Sequence, residues 1–380
     1  MVSIQDFLAE LRTKNTKSTY QSGIYAFLDW KYGKQRSGRC VSSEEIPRYE
    51  KLAADYLSIE NNYAEDLRRY AASMQEIAPT TARARMSGIK EYLFFNDIEF
   101  SEKSKRQIKS RMPKGGARTV ERDLDHNTLQ IILNHSDVKG RALILTLASS
   151  GMRIGECLQL RVSDVNFDVV PAEVSIRQEI TKTRGSRITF LSREAVTALR
   201  EWLKVRDAYL KSAKNRNAGF VAQGIGSVKS VNDPRLFPFD SHGAQAMWRT
   251  ALKNAGLFSP DESTKRQQLH YHQLRKFFRS QMALSCPVDI VEALMGHEGY
   301  LTAAYRRYTR EQMAEYYVKS EGMITLQLPS KEITRVETEI KKEIQDQQSV
   351  IARLVIQMEE RDAELKALKK IILFAEEKNR

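Results

Sequence analysis

Five side chains between residues 153 and 297 are of types that can act together on a phosphodiester bond. Arg153 lies in SSGMRIGECLQL, Lys182 in TKTRGSRITFL, His272 and Arg275 in HYHQLRKFF, and His297 in LMGHEG. A guanidinium can bind two phosphate oxygens at once, and imidazole and ammonium groups can transfer protons. With a tyrosine hydroxyl as nucleophile, this set predicts phosphodiester cleavage without a metal ion or another cofactor. The sequence also has no Walker loop and no H-E-x-x-H pattern.

Several tyrosines are candidate nucleophiles, because the run AAYRRYTREQMAEYY follows His297. Tyr305 and Tyr308 lie eight and eleven residues after that histidine. Tyr316 and Tyr317 are more typical of core contacts in the helix that ends the domain.

The segment around Arg153 predicts a fixed guanidinium at the start of a helix. Gly151 and Met152 precede the arginine, and the apolar run IGECLQL follows it. Glu156 could hold either the arginine or the nearby backbone in place. The alternative is a surface arginine that caps a helix.

The spacing of His272 and Arg275 predicts that both lie on one helical face, one turn apart. The pair can then supply an imidazole and a second guanidinium to one phosphate. His270 lacks this spacing to Arg275, and we interpret it as structural or adjacent to the substrate.

Lys182 lies between two segments that alternate like strands, one with Val174 and Ile176 and one with Ile188 and Phe190. Because Gly185 suits a turn, the lysine is expected near the tip of a β-hairpin. Arg184 and Arg187 compete with it, but an ammonium can give up a proton whereas a guanidinium effectively cannot. The alternative is a solvated basic turn.

These segments, in this order, resemble the tyrosine recombinase (phage integrase) family over most of residues 1–325. The family patterns T-G-x-R-x-x-E-x-x-x-L, H-x-L-R and L-G-H are similar to S-G-M-R-I-G-E-C-L-Q-L, H-Q-L-R and L-M-G-H here. The resemblance implies a mainly α fold with a small β-hairpin or sheet, in which a helical core-binding (SAM-like) domain precedes the catalytic domain. It also implies a catalytic set composed of Arg153, Lys182, His272, Arg275, His297 and Tyr305.

The resemblance also implies how the set divides its work. The two arginines stabilise the transition state, Lys182 protonates the leaving 5′ hydroxyl, and His272 assists proton transfer to and from the tyrosine. His297 hydrogen-bonds the scissile phosphate. The tyrosine becomes a 3′-phosphotyrosine. We favour Tyr305, whose surroundings resemble archaeal-type integrases, over Tyr308, which resembles the Y-T-H segment of Xer-type members.

Composition favours a basic protein with more than one domain. The 380 residues carry a formal net charge of +13, and 41% of them are hydrophobic. This excess favours a polyanionic partner, here double-stranded DNA, over the alternative of a merely basic protein. Three scattered cysteines argue against a disulfide framework, with Cys157 and Cys286 expected as buried thiols. Without an apolar run of membrane-spanning length or a signal peptide, we expect a cytoplasmic location and no membrane partner.

The chain divides into four segments by pattern. Residues 1–110 predict a helical DNA-binding domain, in which Ser18 is a candidate start of the second helix and Pro79 opens another. Residues 111–123 are rich in Gly, Pro and charge and predict a linker, or alternatively a loop within one domain. The catalytic domain is expected at 124–328.

Residues 331–380 predict a coiled coil for oligomerisation. Apolar residues recur there at heptad spacing, with Gln347 and Arg361 at the polar seam positions. The alternative is a lone helix packed on its own domain. The apolar seam comprises Ile340, Ile344, Ile351, Leu354, Met358, Leu365, Leu368 and Ile372.

The resemblance to tyrosine recombinases implies a site-specific recombinase, the integrase of a mobile element, that works as a homotetramer on two DNA sites. The alternatives are Xer-type resolution of chromosome or plasmid dimers, cleavage like that of a type IB topoisomerase, and a DNA-binding protein with a decayed site. Every matched position retains a competent residue type, which argues against decay.

Overall fold

Helices dominate the computed structural model, which describes residues 1–38, 40–59, 61–182, 184–222, 230–297, 308–326 and 347. The described part is mainly α with one small sheet, as predicted. The strands are β1 (Val165–Asn166), β2 (Ala172–Ile176) and β3 (Arg187–Leu191). The helices are α1 (Ile4–Glu10), α2 (Lys14–Tyr32), α3 (Ile46–Ser58), α4 (Tyr63–Ser73), α5 (Pro79–Phe95), α6 (Glu102–Arg111), α7 (His126–Asn134), α8 (Val138–Ser150), α9 (Ile154–Cys157), α10 (Arg193–Ala222), α11 (Ser241–Asn254), α12 (His272–Met282), α13 (Val288–Met295) and α14 (Arg310–Ser320).

The chain forms two compact units. One comprises Met1–Arg122 and Ser259–Leu269, and the other comprises Asp123–Phe258 and His270–Arg380. Residues 259–269 thus join the first unit, although the sequence pattern placed them inside one continuous catalytic domain. The predicted boundaries stay a prediction, and so does the coiled coil, because 331–380 lies outside the described residues apart from Gln347.

Hydrogen bonds explain why residues 259–269 belong to the first unit. Asp261 Oδ2 accepts a hydrogen bond from the Val120 backbone N–H at 3.1 Å, and the hydroxyls of Thr119 and Thr264 lie 2.9 Å apart. Arg118, just before Thr119, donates to the main-chain carbonyls of Gln75 and Glu76, which follow α4. Residues 118–120 of the segment predicted as a linker are therefore held by polar contacts within this unit.

The helices of the first unit start where local chemistry allows. Pro79 is the first residue of α5, as predicted, because its missing N–H costs nothing there. The prediction for α2 was wrong, since Ser18 lies inside the helix and Thr13 caps it. The Thr13 side chain accepts a hydrogen bond from the Thr16 N–H, which satisfies one of the unpaired donors of the first turn.

Helix α8 is the centre of the second unit. All its residues from Ala142 to Ser150 are buried, as expected of a helix covered on every side. It packs against α10, α12 and β3. Thr189 of β3 donates its hydroxyl hydrogen to the Ser150 carbonyl at 2.9 Å, which ties the sheet to the end of α8.

The three strands form one antiparallel sheet in the order β1-β2-β3, in which Val174 lies opposite Thr189. Strands β2 and β3 confirm the predicted pair, whereas β1 was not anticipated. Cys157 and Cys286 are buried free thiols, as predicted. Within the described residues, none of the helices combines the length and apolar character needed to cross a membrane.

Candidate active site

Arg153 stands where α8 ends and α9 begins. Helix α8 closes at Gly151 in the left-handed conformation, with φ of +63°, and a Cβ there would lie 2.3 Å from a ring carbon of Phe278. Arg153 is the N-cap residue of α9, and Glu156 Oε2 accepts a hydrogen bond from its backbone N–H at 3.0 Å. The arginine is thus fixed at a helix start, as predicted.

Glu156 holds both the backbone and the side chain of Arg153. Its Oε1 accepts a hydrogen bond from Arg153 Nη1 at 2.9 Å, while Arg187 Nη2 donates to its Oε2 at 2.6 Å. Burial acts to raise the pKa of Glu156, which is 2% exposed, but hydrogen bonds and charge from Arg187 and Arg153 outweigh it. The pKa therefore lies below its ordinary value, and the carboxylate remains ionised between two guanidiniums.

Arg275 is held without a carboxylate among the described residues. Its Nη1 donates to the Gly151 carbonyl and its Nη2 to the Met295 carbonyl, the latter at 2.9 Å. The side chain is 3% exposed. Burial, followed by the positive charge of Arg153, lowers the pKa of Arg275 to about 10. The guanidinium therefore stays protonated at neutral pH.

His297 follows Gly296, the C-cap residue of α13, and is oriented by Glu292 of that helix. The helix ends at Gly296, with φ of +71°, and the His297 N–H then donates to the Glu292 carbonyl at 3.0 Å. His297 Nδ1 is hydrogen-bonded to Glu292 Oε2, and Arg279 Nε donates to Oε1 of the same carboxylate at 2.6 Å. Although burial acts to raise the pKa of Glu292, these two hydrogen bonds lower it below its ordinary value.

His272 and Arg275 lie one turn apart on α12, as predicted, but in different surroundings. His272 is the first residue of the helix and is exposed, whereas Arg275 is buried. The His270 ring lies nearly parallel to that of His272, with 6.4 Å between their centroids. His270 is partly buried, and its interpretation as structural or adjacent to the substrate stays a prediction.

Lys182 is exposed in the loop that joins β2 to β3. This loop spans residues 177–186 and contains a short 3-10 turn at Gln178–Ile180. Because β2 and β3 pair antiparallel, Lys182 lies near the tip of a β-hairpin, as predicted. The left-handed residue is Arg184, with φ of +58°. Arg187, the alternative to Lys182 in the sequence, forms a buried ion pair with Glu156. Lys182 lies in the exposed part of the loop.

The tyrosines fall into three groups. Tyr305 lies outside the described residues. Tyr308 is 38% exposed, and its ring meets that of Tyr316 edge-on with centroids 6.3 Å apart. Tyr317 is fully buried and donates its hydroxyl hydrogen to the Ser149 carbonyl at 2.7 Å, so the prediction of a core contact is confirmed for it. Burial raises its pKa well above the ordinary value.

The start of α14 is anchored close behind Tyr308. Arg310 forms a two-pronged ion pair with Glu173 of β2. Glu173 is buried, with only 6% of its side chain exposed, so the pair lies on the core of the second unit. The described residues on both sides of 298–307 are therefore fixed: His297 by Glu292, and Arg310 by Glu173.

Sequence reasoning missed Glu292, Arg279 and the role of Arg187. Arg187 was seen only as a competitor of Lys182, because the alternation of Ile188 and Phe190 gave no sign that the Arg187 side chain is buried against Glu156. Glu292 precedes His297 by five residues, a spacing that becomes close only because Gly296 reverses the chain. Helical spacing of three or four residues gave no signal for that contact.

Residues 118–315 match the model of the phage integrase family, which covers more than half of the chain. The chain belongs to this family of tyrosine recombinases. It is an enzyme that cleaves and rejoins DNA strands. This recombinase is similar to the tyrosine recombinase XerC of Alcanivorax borkumensis, with 26% identity over 66% of this chain and 77% of the relative.

Two further matches are more distant. The XerC of Mannheimia succiniciproducens is 23% identical over 76% of this chain and 94% of its own. A solved structure of a lambda integrase dimer bound to a COC' core site is 15% identical, with a TM-score of 0.44 over 83% of each chain.

Proposed function

We propose that this tyrosine recombinase is site-specific, acts as the integrase of a mobile element, and cleaves duplex DNA through a 3′-phosphotyrosine intermediate. The supporting observation is a surplus of fixed positive charge. Four guanidiniums and two carboxylates lie in the described part of the site, so two positive charges remain for a substrate. The guanidiniums are Arg153, Arg187, Arg275 and Arg279, and the carboxylates are Glu156 and Glu292.

This charge suits the transition state of phosphodiester attack. When a tyrosine oxygen attacks phosphorus, the five-coordinate phosphorus group carries two negative charges, and preorganised donors stabilise charge that develops in the reaction. Arg275 is hydrogen-bonded only to neutral carbonyls among the described residues, so its charge is not cancelled locally. Arg153 is 30% exposed despite its pairing, which leaves its fork accessible to an anion.

The Tyr305 oxygen forms a bond to phosphorus, and the bond from phosphorus to the 5′ oxygen breaks. The tyrosine proton passes to His272, and Lys182 gives a proton to the departing 5′ oxygen. His297, held by Glu292, donates to an oxygen of the scissile phosphate. Attack by the 5′ hydroxyl of a partner strand reverses the step and rejoins the DNA.

The partner is double-stranded DNA, bound by four copies on two sites. The net charge of +13 supports phosphate contacts, which make affinity fall steeply with salt. We propose that residues 1–110 bind the duplex, that 124–328 carry catalysis after a connection at 111–123, and that a coiled coil at 331–380 promotes assembly. Buried free thiols fit action in a reducing cytoplasm.

Covalent trapping tests this proposal. A duplex selected by the full chain from a random-sequence pool is nicked near its cleavage site, so that the released fragment diffuses away. We expect a protein–DNA band on a denaturing gel in the presence of EDTA. Tyr305→Phe should abolish the band and Tyr308→Phe should retain it. Loss with Tyr308→Phe alone would move the nucleophile, and no band with the wild type on any selected duplex would refute the proposal.

Similarity to two XerC proteins supports a second candidate, the resolution of chromosome or plasmid dimers. The arrangement of sites distinguishes it from integration. A plasmid with two directly repeated sites should be resolved into two circles by a dimer resolvase acting on one site type. An integrase should instead join two different sites on separate molecules.

A further inference from the structure

Arg187 contacts two separate parts of the candidate site. Its Nη2 donates to Glu156 Oε2 at 2.6 Å, and that carboxylate also holds Arg153. Its Nε donates to the Leu294 carbonyl at 3.1 Å, in the last turn of α13 before His297. The side chain is 7% exposed. One guanidinium therefore connects the segment that presents Arg153 with the segment that presents His297.

The chain around α13 is shaped to admit this guanidinium. A Cβ on Gly296 would lie 2.7 Å from Arg187 Cδ and Nε and 2.8 Å from its Cζ. Gly296 also has a φ of +71°, which side chains rarely adopt. The close approach of backbone and guanidinium thus requires glycine on both grounds.

Arg187 also fixes the end of the loop that carries Lys182. It is the first residue of β3, where it lies opposite Ile176 of β2, and the loop of residues 177–186 ends immediately before it. A displaced Arg187 would therefore release the strand end five residues after Lys182. Three candidate catalytic groups, Arg153, Lys182 and His297, depend on its position.

We propose that Arg187 is a positioning residue that sets the mutual geometry of Arg153, Lys182 and His297 without touching the DNA. This inference rests on the proposed function of the site. A planar fork is required, because the carboxylate of Glu156 and the carbonyl of Leu294 are bound by different nitrogens of one rigid group. Lysine has the same charge but a single nitrogen on a flexible stem, so it cannot hold both partners in register.

The test compares Arg187→Lys with a matched control, Arg206→Lys. Arg206 is similarly buried at 10% side-chain exposure, and it also bridges separate acceptors, the carbonyls of Asp233 and Arg235. Among the described residues, Arg206 contacts Asp207, Asp233 and Arg235, none of which belongs to the candidate site. Both variants lose a buried guanidinium, but only Arg187→Lys should slow the formation of the covalent adduct.

The first readout is the single-turnover rate of covalent adduct formation on the nicked selected duplex. We expect Arg187→Lys to lower this rate about 100-fold, since a misplacement of about 1 Å can have that effect. DNA affinity should be unchanged, because phosphate contacts along the whole duplex dominate it. Arg206→Lys should keep the wild-type rate. A wild-type rate for Arg187→Lys, or an equal rate loss in both variants, overturns the proposal.

The second readout does not depend on DNA cleavage. Amide hydrogen exchange in Arg187→Lys should rise at residues 154–157 and at residues 295–297 together, and in neither segment for Arg206→Lys. A rise in only one segment, or in none, overturns the connecting role. If the wild type forms no covalent adduct, the proposed function fails, while the exchange pattern still decides whether Arg187 joins the two segments.

Discussion

Replacing Glu156 with glutamine should destabilise the second unit by removing the charge shared by two arginines. The carboxylate is 2% exposed and accepts hydrogen bonds from Arg153 and Arg187. Loss of one partner of a buried ion pair costs about 3–5 kcal/mol, because the remaining charge is left buried. Glutamine keeps one acceptor oxygen and the side-chain volume, so we expect the lower end, about 3 kcal/mol.

Urea unfolding followed by tryptophan fluorescence measures this loss. Trp202 and Trp248 are both buried in the second unit and report on its unfolding. In thermal unfolding, about 3 kcal/mol corresponds to a fall in Tm of roughly 6–12 °C for a unit of this size. The matched control is Glu201→Gln, which breaks an exposed pair with Lys204 and should cost under about 1 kcal/mol.

The pH dependence of the difference checks its electrostatic origin. The pKa of Glu156 is lower in the folded state than its ordinary value of 4.5. A depressed pKa means that the charge stabilises the fold above the unfolded pKa, and that this stabilisation is lost as pH falls through the folded pKa. The difference between wild type and Glu156→Gln should therefore be constant near pH 7 and shrink below about pH 4.5.

Two outcomes would refute this reasoning. If Glu156→Gln unfolds at the same urea concentration as Glu201→Gln at pH 7, the buried carboxylate does not support the two arginines. If the variant is destabilised but the difference persists unchanged at acidic pH, the loss comes from packing or from the amide group. A third measurement links stability to function: covalent adduct formation should fall in Glu156→Gln at temperatures where it is fully folded.

Three further predictions concern separate parts of the site. Tyr317→Phe should lower stability by about 1–3 kcal/mol in urea titration, because the buried Ser149 carbonyl loses its donor, and it should still form the covalent adduct. Gly151→Ala should cost about 1–3 kcal/mol or more by the same titration, since its Cβ would overlap Phe278. Lys182→Ala should cleave ordinary DNA slowly. Its cleavage rate should recover on a duplex with sulfur in place of the bridging 5′ oxygen, because a thiolate leaves without taking up a proton.

Local patterns predicted much of the fold and the elements that carry the site. The Gly-Met-Arg segment predicted a guanidinium at a helix start, because glycine permits the left-handed turn that ends α8. The spacing from His272 to Arg275 predicted one helical turn. These features depend on residues within about one turn of each other, where chain geometry leaves few choices.

Features that depend on distant residues were not readable. The N-cap of α2 was predicted wrongly because Ser18 and Thr13 are both competent caps. Which of them starts the helix depends on where the packing of the helix begins. The place of residues 259–269 in the first unit rests on the hydrogen bond that Asp261 accepts from Val120 and on the one between Thr264 and Thr119, each joining residues some 140 positions apart. Neither the partner of Arg187 nor that of His297 follows from helical or strand periodicity.

The two arginines of the site are held by different means, and the difference follows from what each must do. Glu156 cancels part of the charge of Arg153 but fixes it on the surface of a short helix, where few other groups could restrain an exposed fork. Arg275 is buried, so carbonyl groups alone can hold it, and its full charge is retained at the cost of a lowered pKa. A carboxylate beside Arg275 would restore that pKa while removing charge from the phosphate. Arg187 neutralises the charge of Glu156. The site therefore keeps the surplus of positive charge that a phosphodiester transition state requires.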